Sequence, residues 1–309
     1  MAKTLICRNI SKQYQKGRYA LRDVSLNVPA SGIFALIGRN GAGKTTLVRI
    51  LATQLSPTSG SANIDGMDVV GQAEDLRNII ASVPQEARAI GWLTPRQFIT
   101  AYLLWRGMRY VEARSKTLEA MRRLGMEKSI DKPNRLLSGG MKRKVLLAAV
   151  MASEAQVLFL DEPTTGLDPI SRNELWNVLS KLKKDHFIFL TTHYLEEAEK
   201  LADKICIIEN GKVMAMGTLD ELRKKVKYPY SIKILSQVEG IKPKRGKVIR
   251  GIDGTHQIVT TEAEAHSISR RLISRNVKFS MSPLSLDDIF YYIVRKPLEE
   301  EIEDEEEYY

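Results

Sequence analysis

Residues 34–51 read FALIGRNGAGKTTLVRIL. The apolar run from Ile33 to Ile37 stops at Gly38, which suits a short strand buried on both faces. Helix formers take over from Thr46 to Leu51. Between them lies Gly38-x4-Gly43-Lys44-Thr45, the spacing of a strand–loop–helix phosphate cradle. The glycines let successive N–H groups turn inward and form an anion nest. The helix that follows points its positive end at the same spot. Lys44 is expected to reach a β- and a γ-phosphate, and Thr45 to offer its hydroxyl to Mg²⁺. The expected ligand is a nucleoside triphosphate.

The bulk of the chain narrows the setting. It has 309 residues, enough for two domains, and 43% of them are apolar, which supports ordinary globular cores. The longest purely apolar stretch, Val145 to Ala152, is far shorter than the roughly 18 residues that span a bilayer. The first residues, MAKTLICRNISK, carry no apolar signal region, so a soluble, cytoplasmic chain is expected. Two distant cysteines, Cys7 and Cys206, give neither a disulfide framework nor a zinc pattern and are expected to be buried thiols. Net charge is +10, but eight of the 37 acids sit in the last eleven residues, EEEIEDEEEYY, which leaves +18 on the body. That tail reads as a disordered, solvating segment. A basic body fits a nucleotide pocket, an anionic membrane surface or nucleic acid, and charge alone does not choose.

A second set of phosphate-site residues lies downstream. Val157–Leu160 is another short apolar run, and it ends in Asp161-Glu162-Pro163. Carboxylates at the end of a buried parallel strand fall on the same sheet edge as the phosphate loop. There Asp161 can hold the Mg²⁺ shell and Glu162 can polarise a water for in-line attack on a γ-phosphate. In TTGLDP, 164–169, Gly166 and Pro169 mark a turn, and Asp168 is placed to cap a helix near Ile170. HFIFLTTH, 186–193, reads as a third strand with His193 just past its end, again on that edge. In RLLSGGMKRKVLLAAVMA, 135–152, Ser138 can cap a helix whose first amides are left bare by Gly139 and Gly140. Two anion-binding ends on one chain point to a head-to-tail pair of subunits with two composite sites.

Taken in order, these stretches resemble the nucleotide-binding subunit of an ATP-binding cassette (ABC) transporter, over residues 4 to 220. The motifs are GRNGAGKTT (38–46), Gln85 in SVPQE, LSGGM (137–141), VLFLDE (157–162), TGLDP (165–169) and His193; Tyr14 in SKQYQKG is similar to the aromatic that stacks on adenine. The resemblance implies roles. Gly38, Arg39, Asn40, Gly41, Ala42, Gly43, Lys44, Thr45 and Thr46 cradle ATP. Thr45, Gln85 and Asp161 serve Mg²⁺. Glu162 is the general base and His193 contacts the γ-phosphate, while Gln85, counted with the catalytic residues, and the helical stretch after it to about residue 135 report occupancy to a membrane subunit. Ser138, Gly139 and Gly140 bind the partner's nucleotide in trans, and Asp168 links the two sites. Met141 stands where the family most often has Gln; its side chain cannot donate a hydrogen bond, but Ser138 and the glycine amides carry the contacts. LSGGM followed by basic residues resembles the subset of exporters for drugs, polysaccharides and lipids.

The implied fold is an α/β P-loop NTPase core (an ABC ATPase) with a helical subdomain, plus a small C-terminal α+β extension. The expected boundaries are 1–225 for the nucleotide-binding domain, with its helical subdomain at about 86–150. A regulatory or dimerising unit follows at 226–296, and then the acidic tail at 297–309. In the unit, YSIKIL, GKVIRGI and HQIVTT read as strands, 262–274 as a helix, 277–280 as a strand and 285–294 as an amphipathic closing helix. The implied function is the ATP-hydrolysing motor of an exporter, working as a dimer with membrane-spanning permease subunits on the cytoplasmic face. The alternatives are a soluble ABC ATPase acting on nucleic acid or ribosomes, or one serving cofactor assembly. Against nucleic acid stands the lack of any interleaved aromatic and basic pattern.

Overall fold

The computed structural model describes residues 4–15, 17–234, 243–250 and 256–295. The acidic tail lies outside them. The chain divides into two compact units, Met1–Val213 and Met214–Tyr309. The division falls within strand β10 (Lys212–Gly217).

The first unit is built on two sheets. β1 (Thr4–Gln15), β2 (Arg18–Pro29), β4 (Ser59–Ile64) and β5 (Met67–Asp68) form an antiparallel sheet in the order β2-β1-β4-β5. Here polar and apolar residues alternate, as they do in β2, whose Leu21, Val24, Leu26 and Val28 are buried. The second sheet carries β3 (Ile33–Ile37), β6 (Ile80–Val83), β7 (Val157–Asp161), β8 (Phe187–Thr192) and β9 (Lys204–Glu209), ordered β9-β3-β8-β7-β6 and all parallel. β3, β7 and β8 are buried at every position, which is why they read as continuous apolar runs. Phe189 holds the middle of this sheet, with ring centroids 5.1 Å from Phe34 and 5.6 Å from Phe159.

The crossovers are helical: α1 (Lys44–Leu51), α2 (Ala73–Ile79), α6 (Pro169–Leu182) and α7 (Leu195–Leu201). Between β6 and β7 a helical layer is inserted, made of α3 (Pro95–Trp105), α4 (Tyr110–Arg123) and α5 (Gly139–Ala152). α3 starts on a capping box in which Thr94 and Gln97 exchange side-chain-to-backbone bonds, with Pro95 at the first helical position. Ile99, Leu103, Ala120, Met121 and Val145 share one core with Leu158, Leu160 and Trp176, so the inserted layer and the parallel sheet are welded. Both cysteines are buried, and burial pushes the Cys7 thiol up to about 12.

The second unit is an antiparallel sheet, β11 (Tyr230–Ile234), β12 (Gly246–Arg250), β13 (His256–Thr260) and β14 (Phe279–Pro283), ordered β12-β13-β11-β14. Ile232, Ile234 and Ile258 pack on Ala265, Ile268 and Leu272 of α9 (Glu262–Ser274). α8 (Leu219–Lys224) and α10 (Leu286–Arg295) complete it, Arg223 Nε donating to Leu284 O at 2.9 Å. The last strand starts later than its sequence suggests. Asn276 takes a left-handed turn (φ 55°) and the Val277 N–H returns to Leu272 O at 3.0 Å, so Val277 closes α9 instead of opening β14. Among the described residues no helix is long and apolar enough to cross a membrane.

Because Phe189 is enclosed by strands on both sides, Phe189→Ala should cost about 3–5 kcal/mol in urea unfolding of the chain. A loss below about 1 kcal/mol would mean that the sheet centre tolerates a void there.

Candidate functional site

Among the glycines of residues 38–43, Gly38 is required by space, Gly41 by its left-handed conformation (φ 82°) and Gly43 by both. A Cβ on Gly43 (φ 105°) would sit 2.5 Å from Ala20 O, and one on Gly38 would sit 2.3 Å from Ile208 O. The loop is thus pinned at its two ends, Gly38 against β9 and Gly43 against β2, and Ala42 N closes it on Arg39 O at 3.1 Å. Gly43 then forms the N-cap of α1, so Lys44, Thr45 and Thr46 are its first turn. Asn40, Gly41, Gly43, Lys44, Thr45 and Thr46 line a pocket of about 260 Å³ together with Gln85 and Glu162. Tyr14, 55% exposed on the β1–β2 hairpin, reaches this rim through its hydroxyl, 3.4 Å from Thr46 Oγ1.

Glu162 is the hub. Its carboxylate is buried, yet four side chains converge on it. Lys44 Nζ lies 3.3 Å from Oε1. Gln85 Nε2 and Thr165 Oγ1 donate to Oε2 at 3.0 and 3.1 Å, and His193 Nδ1 is 3.0 Å from the same oxygen. Lys44 also donates to Gly38 O (2.9 Å) and Arg39 O (3.2 Å), which ties the loop to the carboxylate. A buried carboxylate and a buried ammonium are each costly alone; paired and hydrogen-bonded they are tolerated.

The backbone at Glu162 is unusual. Its φ of 47° is left-handed, a region that residues with side chains avoid. Its N–H donates to both the carbonyl and the Oγ1 of Thr191 at 3.1 Å. Thr191 Oγ1 in turn donates to the Asp161 carboxylate. Register explains this, since Asp161 stands opposite Thr191 in the β7–β8 ladder. His193 follows on the same strand end, its ring stacked 4.1 Å from Tyr194, and Arg172 covers the other ring at 4.1 Å.

The sequence-derived candidates therefore fall into two groups. The phosphate loop, Gln85, Asp161, Glu162 and His193 are brought to one sheet edge. Ser138, Gly139 and Gly140 stand apart, at the N-terminus of α5, where Ser138 accepts from Met141 N at 3.3 Å. Asp168 caps α6 by accepting from Ile170 N and Ser171 N, both at 3.0 Å. Hydrogen bonds from Ser171, then Ile170, hold its carboxyl below the usual range. Thr165, Thr191, Tyr194, Arg172 and the buried Arg143 are additions to the set. Of these only Thr165, inside the TGLDP stretch, carries a sequence signal.

The donors gathered here suit a Mg²⁺ ion chemically. The Thr45 hydroxyl, the Gln85 amide oxygen and the Asp161 carboxylate are hard oxygen ligands, few enough to leave places for water and phosphate. The described residues contain no cluster of three or more His, Cys, Asp or Glu that would make a soft or all-protein metal cage.

Comparison with known proteins agrees with this geometry. The family described as ABC transporter matches residues 21–165. A daunorubicin resistance ATP-binding protein, DrrA3 of Streptomyces coeruleorubidus, is 40% identical over 224 residues, covering 72% of this chain and 71% of that protein. The daunorubicin/doxorubicin resistance ATP-binding protein DrrA of Streptomyces peucetius is 38% identical over 67% of this chain, a match that spans 63% of its own length. Among solved structures, an ATP-binding subunit of an ABC transporter gives a TM-score of 0.63 at 29% identity, over 72% of this chain and 92% of that one. A dimeric ATP-binding cassette in a post-hydrolysis state, bound to ADP and phosphate, gives 0.63 at 25% identity over 70% and 98%. With the phosphate loop and its facing carboxylate inside the matched span, this chain belongs to the ABC transporter family, as an ABC ATPase cassette.

Proposed function

We propose that the chain is the Mg²⁺-dependent ATP-hydrolysing motor of an exporter, with Glu162 as general base. The observation that carries the proposal is the convergence of Lys44, Gln85 and His193 on the one Glu162 carboxylate, inside the pocket of the phosphate loop. The amides of residues 39–45 and the N-terminus of α1 supply positive potential for the β- and γ-phosphates. Lys44 adds the charge that neutralises what builds up between them. Glu162 accepts the proton of the attacking water, and Gln85 and His193 hold its carboxylate toward that water. Thr45, Gln85 and Asp161 would hold Mg²⁺, which supplies charge neutralisation across the phosphate oxygens when bound. Tyr14 stacks on the base.

The exposed Ser138-Gly139 end of α5 does not line this pocket, so it is free to complete the site of a second subunit. Two copies facing head to tail would make two composite sites, with Asp168 between them. The DrrA proteins carry drug-resistance names, which supports export as the direction.

Coupling to a membrane subunit is supported by a separate groove of about 800 Å³. Its floor is Ile80, Ala81 and Ser82 of β6, the strand that leads directly to Gln85. Tyr102, Trp105 and Arg106 at the end of α3 form one wall, and Trp105 is 82% exposed. Arg106 pins the wall to the floor by donating to Ile80 O and Arg77 O, both at 2.9 Å. An exposed tryptophan beside a polar groove is the composition of a protein-binding surface. On this reading the cassette is peripheral on the cytoplasmic face.

Glu162→Gln should bind ATP normally and accumulate an ATP-bound dimer while hydrolysis falls by about 10²–10⁴-fold. Near-normal phosphate release would remove Glu162 from the role of base. Lys44→Ala should weaken binding of a fluorescent ATP analogue by at least about 100-fold, and retained tight binding would sink the cradle assignment. Trp105→Ala should leave basal ATPase activity intact while a polytopic membrane protein no longer co-purifies from detergent-solubilised native membranes. Undiminished co-purification would move the docking face elsewhere.

A further inference from the structure

Lys44 and Arg143 are the buried basic side chains of the described residues. Lys44 faces the nucleotide pocket. Arg143 does not line it and has no part in the chemistry above. It rises from the second turn of α5, and its partners are all backbone carbonyls. Nε donates to Pro163 O at 2.7 Å, and Nη2 to Glu162 O at 3.0 Å and Asp161 O at 3.4 Å. Three consecutive carbonyls, running from the end of β7 into the turn, thus point at one guanidinium. Only arginine has a fork of donors broad enough to serve all three. Burial lowers its pKa, so its charge is held there against desolvation.

The placement matters because of what lies between those carbonyls. Glu162 is left-handed, and its N–H is pinned by Thr191. Its C=O is pinned by Arg143. With both neighbouring peptides fixed, the side chain leaves the backbone in one direction, toward Lys44, Gln85 and His193. Releasing the carbonyl side would let φ relax out of the left-handed region and swing the carboxylate away from all three.

We infer that Arg143 is a positioning residue for hydrolysis, a strut by which the SGG-bearing helix holds the catalytic carboxylate in its strained backbone conformation. The inference rests on the reading of Glu162 as general base. It also connects the two half-sites of one chain. Ser138 caps the same helix that carries Arg143, so a pull on the helix N-terminus by the partner's nucleotide reaches the base through one rigid element.

The test is a cycle of purified full-length variants assayed for phosphate release and for binding of a fluorescent ATP analogue. Arg143→Met should lower kcat by about 10- to 100-fold with KM and analogue affinity within about threefold of wild type. In a Glu162→Gln background the same change should cost less than about twofold more, because the group it positions is already gone. Arg143→Lys, which keeps the charge and one donor site, should recover part of the rate. Normal kcat in Arg143→Met overturns the strut. So does an equal fractional loss in both backgrounds, which would place Arg143's action elsewhere while leaving Glu162 as base. Normal turnover in Glu162→Gln alone would remove the base assignment and this inference with it. If circular dichroism shows Arg143→Met unfolded, Arg143→Lys carries the test: a several-fold fall in kcat at unchanged KM is expected, and unchanged kcat refutes it.

Discussion

The whole site hangs on where the parallel strands stop. Val83 is level with Leu160, Asp161 with Thr191, and Ile37 with Thr192. Four chain segments from distant parts of the sequence therefore run out at one edge, and everything chemical lies at that edge or just past it. A slip of one residue in any pair would invert the side chains of that strand and carry Glu162 or His193 to the wrong face. Burial on both faces, with Phe34, Phe159 and Phe189 interleaved at the centre, is what forbids the slip.

Past that edge the balance is electrostatic. An anionic carboxylate with 5% exposure is bearable because a lysine with 4% exposure stands 3.3 Å away and three further side chains surround it. The same crowding sharpens function. Groups with no freedom to reorient lose little entropy or reorganisation energy when the reaction needs them, which is the basis of preorganised electrostatics. The left-handed backbone of Glu162 is the local strain that this arrangement sustains.

How far the sequence reveals this depends on the range of the interaction. The phosphate loop is contiguous, so its glycines, lysine and flanking strand and helix are all readable from a few residues. The caps Ser138 and Asp168 are local too, and both are made as their spacing implies. Asp161, Glu162 and His193 are readable only because each ends an apolar run. Thr191 and Arg143 escape, for opposite reasons. Thr191 matters through strand register, which no periodicity reports. Arg143 lies in a run of basic residues that looks solvated, yet only its helical position turns it inward. The second unit shows the same limit: its strands and helices are visible, while the order β12-β13-β11-β14 depends on pairings across some fifty residues.

The seating of β3 also has a consequence for how the protein is made. β3 is flanked by β8 and β9, so Phe34 waits for Phe189 on one side and Lys204 on the other. The antiparallel β1–β2 pair can form as soon as it leaves the ribosome, because its partners are close in sequence. The strand that launches the phosphate loop cannot be enclosed until some 170 more residues have been synthesised. During that interval an apolar segment with two open edges is available to other chains and to holding chaperones. The nucleotide cradle is thus among the first parts of the first unit to be translated and among the last to be completed.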